Sequence, residues 1–233
     1  MNQNRFVEEL KKINVSLTQT QLDQLDKYYN LLIEYNKVMN LTGITEYKEV
    51  YLKHFYDSLT ISKVIDLNKI SSLCDIGTGA GFPGLVLKIA YPNLKITLLD
   101  SLNKRVEFLK VIIEKLNLKD IEVIHSRAED YALKNRNKFD VTTARAVAHT
   151  SILLEYAIPM TKINGYFIPL KANVNEELKE INHAMDELNV KLMKIEEFKL
   201  PIEESNRTIL IFEKLKDNNK YPRKNNEIKK NRL

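Results

Sequence analysis

An acid and four glycines, Asp75-Ile-Gly77-Thr-Gly79-Ala-Gly81-Phe82-Pro83-Gly84, form the densest chemical signal in this 233-residue chain. Four of the chain's six glycines fall within eight residues. Glycine costs roughly 0.5–1 kcal/mol relative to alanine inside regular structure, so a cluster marks a place where side chains would obstruct a ligand. The apolar run before it and the amphipathic stretch Leu85 to Tyr91 after it predict strand, glycine loop, then helix. That order brings backbone N–H groups and a positive helix end to a nucleotide-like ligand. Gly79, Gly81 and Gly84 satisfy the G-x-G-x-x-G spacing used for dinucleotides. Asp100, ending the run Ile96 to Asp100, is placed to accept hydrogen bonds from ribose hydroxyls. Asp75 discriminates further. A carboxylate at the mouth of the loop would repel a pyrophosphate and suits a ligand carrying cationic groups.

Asp-x-Gly-x-Gly-x-Gly, with an acid 25 residues after Asp75, resembles the class I S-adenosylmethionine-dependent methyltransferases, whose cofactor carries sulfonium and ammonium cations. Two other readings use the same residues: an NAD-dependent oxidoreductase with this loop, and a tight strand–helix turn with a surface acid.

The elements that must position these residues follow from periodicity. Residues 1–66 read as a helical appendage. Phe6, Leu10 and Ile13 share one face, and Thr18-x-x-Gln21 is a capping-box pattern. Leu22, Leu25, Tyr29, Leu32, Tyr35 and Met39 then recur at spacings of three or four. Asn40 to Gly43 breaks that helix, and Thr45 is placed to cap another running to about Val64. From 67 to 214 strands and helices alternate. Strands are expected at 72–76, 95–99, 122–125, 139–145 and 165–169, and helices at 83–90, 104–116 and 151–160. A helix at 175–188 and two strands, 190–198 and 208–213, close the domain. This alternation predicts an α/β fold, Rossmann-like, with a mostly parallel seven-stranded sheet and an antiparallel edge hairpin.

Composition sets the remaining bounds. The net charge of +5 is uneven: Lys214 to Leu233 holds eight Lys or Arg against two acids, so that stretch is net +6 and the rest net −1. Residues 215–233 therefore read as a basic, disordered tail, either solubilising or attracted to phosphates in a salt-sensitive way. No apolar run reaches about 18 residues, so no membrane-spanning helix is expected, and the N-terminus lacks a signal-peptide core. The single cysteine, Cys74, fits a reducing cytoplasm and inert packing in the first strand.

Further segments make the resemblance specific. Asn40-Leu41-Thr42-Gly43-Ile44, then His54-x-x-Asp57-Ser58, then the glycine loop and Leu98-Leu99-Asp100-Ser101-x-x-Lys104-Arg105 occur in order. Ser126-Arg127-Ala128-Glu129, Ala144-Arg145-Ala146, Leu170-Lys171 and Arg207 follow. The series resembles the bacterial 16S ribosomal RNA guanine-N7 methyltransferases, also called glucose-inhibited division protein B, over roughly residues 20–214. Ala172, where a glycine is often found, is a local departure. The resemblance implies methyl transfer from S-adenosylmethionine to guanine N7 in 16S ribosomal RNA, free or within the small ribosomal subunit or an assembly intermediate, by a cytoplasmic monomer. It implies that Gly77 and Phe82 line the cofactor pocket, that Ala128 and Glu129 lie beside the adenine, and that Arg145 stands near the transfer site. Asp75, Gly79 and Asp100 complete the expected cofactor set.

The chemistry agrees with what the sequence lacks. Guanine N7 carries no proton, so alignment rather than a general base supplies most of the advantage. No Asn/Asp-Pro-Pro-aromatic motif follows the strand ending near Thr143, and no cysteine stands there to attack a pyrimidine. Arg145 occupies that place and is expected to position the base or a phosphate; the alternative is an Arg–carboxylate pair that orients the loop. Lys104, Arg105, Arg127 and Lys171 are the candidate RNA-phosphate contacts. His54, Asp57 and Ser58 lie too close on one helix for a nucleophile–base–orienter relay, and are expected to pack the appendage against the cofactor domain. His125, His149 and His183 lack paired ligand spacing, so no metal site is expected. A non-enzymatic RNA-binding module is the remaining class.

Overall fold

The computed structural model describes residues 1–233 apart from the side chain of Lys229. Seven strands form one sheet: β1 (Ser72–Ile76), β2 (Lys95–Asp100), β3 (Ile121–His125), β4 (Phe139–Arg145), β5 (Thr161–Lys171), β6 (Val190–Lys199) and β7 (Asn206–Lys214). Their order is β3-β2-β1-β4-β5-β7-β6. β1 to β5 run parallel, and β7 pairs antiparallel with both β5 and β6. The chain leaves β1 towards β2 and β3 on one side and returns to β4 on the other. A crevice therefore opens at the carboxyl ends of β1 and β4, where ligands bind in open α/β sheets.

The strands match expectation to within a few residues, except that β5 begins four residues early. Three helical expectations differ. Helix Ala128–Lys134 follows β3, where none was expected. The segment 175–188 is two helices, Asn175–Glu180 and Asn182–Leu188. Thr45 caps nothing; the third helical run starts at Tyr47, passes through the π-helical Val50–Tyr56, and ends in the 3-10 turn Thr60–Lys63.

In the appendage, α1 is Gln3–Lys12 and α2 is Gln19–Met39. The capping box forms: Thr18 Oγ1 accepts from Gln21 N–H, and the Gln21 side chain accepts from Thr18 N–H. The Gln21 amide also donates to the carbonyls of Ile89 and Ala90, so one residue both starts α2 and docks it on the cofactor domain. Tyr28, not Tyr29, is the tyrosine of α2 buried completely. One continuous apolar cluster runs from Phe6, Leu10, Leu25 and Leu32 through Tyr51 and Phe55 to Leu73, Leu85 and Leu98. The appendage and the sheet thus share a core.

The last residues are not the disordered tail that their charge predicts. Helix Asn225–Lys230 forms, Pro222 is buried, and Tyr221 and Ile228 join a second apolar cluster with Leu153, Tyr156 and Ile181. Buried charges hold the segment: Arg223 clamps Glu155 at 2.7–2.9 Å, and Asp217 meets both Arg136 and Lys214. Three apolar residues and paired acids among the lysines outweigh a composition that, averaged, reads as solvated.

Candidate active site

The glycine loop closes over Asp75. Asp75 Oδ2 accepts from Thr78 Oγ1 at 2.6 Å and Gly84 N–H at 2.8 Å, while Oδ1 has no partner. The residue is fully buried and absent from the lining of the cleft. Asp75 therefore does not stand at the loop's mouth as expected, nor is it a surface acid; it is the internal strut of the turn. Burial pushes its carboxyl up to about 6, against the downward pull of Thr78, Gly84 and Arg145.

Gly77 has φ +67°, and a Cβ there would lie 2.8 Å from Val147 Cγ2. Only glycine takes that φ without strain and lets Val147 pack so close to the backbone. Gly81, at φ +105°, lets the Tyr28 hydroxyl come within 2.7 Å of the space a Cβ would take, and that hydroxyl donates to the Ala80 carbonyl. The appendage thereby holds the loop from behind. Asp100 holds it from the front: Oδ2 accepts from Gly79 N–H and Oδ1 from Leu102 N–H, both at 2.9 Å. Gly79 contributes this N–H to the loop and does not line the cleft.

A cleft of about 270 Å³ lies beside this loop, with Gly77, Asp100, Arg127, Ala128 and Glu129 in its walls. Gly77, Asp100, Ala128 and Glu129 were expected as cofactor residues, and Arg127 as an RNA-phosphate contact. Val147, Ala148, Ile152, Tyr156 and Asn225 also line it and were not; their places follow from tertiary packing, and no local pattern marks them. Glu129 is buried at 5% exposure, yet its Oε1 accepts no hydrogen bond, and the nearest guanidinium nitrogen, of Arg127, stands 4.0 Å away. A buried carboxylate oxygen without a donor is costly, and this one belongs to a residue of the cleft wall. Arg127 itself is mostly exposed at the rim.

Phe82 and Arg145 do not line this cleft. The Phe82 ring stacks on His54 at 4.3 Å and on Tyr28 at 5.6 Å, with the Arg145 guanidinium 5.1 Å above it. Its contact is with the appendage, because the preceding loop turns the side chain inward. Arg145 faces a second cleft of about 400 Å³, shared with His54, Asp57, Lys171 and Arg207. It donates to the Lys53 carbonyl at 2.9 Å, Asp57 Oδ2 at 3.2 Å and His54 Nδ1 at 3.1 Å. Asp57 Oδ1 accepts from Arg207 Nε at 2.9 Å. The Arg–carboxylate pair that orients the loop is thus present. Arg207, quoted as a motif residue without a role, is its second arm.

His54 is held neutral. Burial, then the Arg145 charge, push its imidazole down to about 3. Since Arg145 donates to Nδ1, the ring proton sits on Nε2 and is donated to Thr42 Oγ1 at 2.9 Å. Ser58 donates to the His54 carbonyl, not to its ring, so no hydrolase relay exists here.

The expected phosphate contacts separate. Lys171, half-buried on the wall of the second cleft, is held by Glu177 at 2.9 Å and the Ala148 carbonyl at 2.7 Å. Lys104 reaches the Met39 carbonyl and Arg105 reaches Asp100 Oδ2 at 3.4 Å; both retain solvent-facing surface. Among the described residues no three His, Cys, Asp or Glu side chains are grouped to hold a metal.

The first cleft fits an adenosine-bearing ligand. Gly77 leaves backbone exposed, Asp100 and Glu129 offer carboxylates, and Leu99, Val147 and Ile152 provide apolar walls for a heteroaromatic ring. Comparison with known proteins agrees. The family model described as rRNA small subunit methyltransferase G matches residues 21–209. Ribosomal RNA small subunit methyltransferase G of Lysinibacillus sphaericus is 47% identical over 96% of this chain and 96% of its own length. The Bacillus subtilis protein of the same description is 46% identical over 96% of this chain and 95% of its own. Among solved structures, a SAM dependent methyltransferase from Aquifex aeolicus matches with a TM-score of 0.52 at 19% identity, covering 72% of this chain and 93% of that one.

Proposed function

The chain belongs to the rRNA small subunit methyltransferase G family, and from that premise we propose that its two adjoining clefts hold S-adenosylmethionine and a guanine of 16S ribosomal RNA, with methyl transfer to guanine N7. It is a ribosomal RNA methyltransferase, and the NAD-dependent and non-enzymatic alternatives are not favoured. Glu129 carries the assignment of the donor cleft: a buried carboxylate oxygen without a hydrogen-bond donor, on a residue that lines the cleft with Gly77.

Bound S-adenosylmethionine supplies an electrophilic methyl group. Gly77 admits it to the backbone, Asp100 holds its ribose, Ala128 and Glu129 hold its adenine, and Asp75 keeps the loop folded with the charge that suits a cationic ligand. Arg145 and Arg207, fixed on Asp57, present a guanidinium wall to the guanine and its phosphates.

What the second cleft lacks supports N7 as acceptor. Its carboxylate, Asp57, is paired with two arginines, and its imidazole, His54, is neutral with Nδ1 already accepting from Arg145. Neither is free to take a proton from an exocyclic amine or a hydroxyl. N7 requires no such base.

Lys104, Arg105 and Arg127 are the phosphate contacts at the rim. The enzyme works as a cytoplasmic monomer on 16S ribosomal RNA within the small subunit or an assembly intermediate. Among the described residues no helix is long and apolar enough to cross a membrane. Radiolabelled methyl transfer onto naked 16S RNA and onto small subunits, each from a deletion strain, tests both claims. 7-Methylguanosine in the nucleoside digest is the expected product, with particles the better substrate. A different methylated nucleoside would remove the N7 assignment, and preference for naked RNA would remove the particle.

A further inference from the structure

The C-terminal segment enters the donor cleft. Asn225 lines it together with Gly77, Asp100 and Glu129, although it lies beyond residues 21–209 that the family model matches. Its placement is fixed from two sides. Two residues earlier, Arg223 binds Glu155 through its backbone N–H, Nε and Nη2 at 2.8, 2.9 and 2.7 Å. Three residues later, Ile228 is fully buried in the second apolar cluster. Tyr156, the neighbour of Glu155 on helix Thr150–Ala157, donates its hydroxyl to Asn225 Oδ1 at 3.2 Å. That hydrogen bond orients the amide and leaves its N–H2 group without a protein acceptor among the described residues.

We propose that Asn225 is a positioning residue for the donor, its amide N–H donating to an acceptor nitrogen of the adenine ring while Glu129 takes the donors of the same ligand. The proposal rests on the donor assignment above. Two complementary groups stand in one cleft: a buried carboxylate oxygen that lacks a donor and an anchored amide with N–H groups to give. An adenine edge carries both acceptors and an amino group. The basic C-terminal segment thus acts as a wall of the donor site, closed by the Arg223–Glu155 clamp.

Calorimetry of S-adenosylhomocysteine and of 5′-methylthioadenosine against wild type, Asn225→Ala and Asn225→Asp tests this. Asn225→Ala is expected to weaken both ligands by about fivefold, the factor for one hydrogen bond near 1 kcal/mol. The loss is equal for the two because both carry the adenosine half. Asn225→Asp keeps the size but has no N–H to donate, and is expected to lose at least as much. Affinity for 16S RNA should not change, and Asn225→Asp, which keeps an acceptor for the Tyr156 hydroxyl, should keep the ligand-free melting temperature. Wild-type affinity in either variant would overturn the proposal. So would a loss confined to S-adenosylhomocysteine, or a loss of RNA affinity alone. Failure of wild type to bind either ligand would instead remove the donor assignment on which the proposal stands.

Discussion

Asp75 should make the protein less stable as pH rises through the range where carboxylates ordinarily ionise. Its carboxyl is pushed from 3.8 to about 6 because the charged form is fully buried with one oxygen unpaired. Between those values the folded state binds more protons than the unfolded state, so stability falls as pH rises and levels off above the folded value. At ~1.36 kcal/mol per tenfold step, the raised Asp75 carboxyl costs about 3 kcal/mol at about pH 7.5, where it is ionised, and about 1 kcal/mol at about pH 4.5, where the folded state keeps the proton that the unfolded state mostly loses. Asp75→Asn removes the titration and keeps an oxygen to accept from Thr78 and Gly84. The substitution has its own pH-independent effect on packing, which cancels when two pH values are compared. The stability difference between variant and wild type, from urea unfolding, should therefore shift in the variant's favour by about 2 kcal/mol between about pH 4.5 and about pH 7.5. An identical difference at both pH values would refute a buried, ionisable strut. S-adenosylhomocysteine affinity supplies a companion reading, since loss of the charge under the loop should weaken a ligand bearing an ammonium group.

Three further outcomes follow from the same geometry. Gly77→Ala forces a side chain to φ +67° and against Val147, so it should cost roughly 1–2 kcal/mol and weaken S-adenosylhomocysteine in calorimetry; wild-type affinity would show that the surface is not used. Lys171→Ala strips Glu177 of its cation and should lower stability by about 1–3 kcal/mol, while the salt dependence of RNA binding stays at the wild-type slope; a shallower slope would restore Lys171 as a phosphate contact. Asp57→Ala leaves the Arg145 and Arg207 guanidinium groups without their shared carboxylate, and denaturation should register a loss of about 3–5 kcal/mol; a loss below about 1 kcal/mol would mean that the pair is fully solvated.

The sequence by itself determined the sheet, the appendage and the glycine turn. Strand periods, the capping box Thr18-x-x-Gln21 and the glycine cluster are short-range signals, and short-range sterics and hydrogen bonds decide them. Gly77, Asp100, Ala128 and Glu129, which the sequence and its family resemblance singled out, line one cleft, because each lies at or just past the carboxyl end of a strand and the topology of parallel sheets brings those ends together. Tertiary structure decided what each charge does. Asp75 and Lys171 have types and positions suited to a ligand, yet packing buries one under the loop and pairs the other with Glu177. Arg145 turns to Asp57 and His54, residues about ninety positions earlier, so its partners were invisible to any local pattern. The basic end shows the same limit in reverse. Averaged charge predicts solvation, but Arg223 finds a buried Glu155 and Ile228 an apolar pocket, and those contacts carry Asn225 into the cleft that the glycines open. Burial and pairing depend on residues far apart in the chain, and only the folded arrangement brings them together.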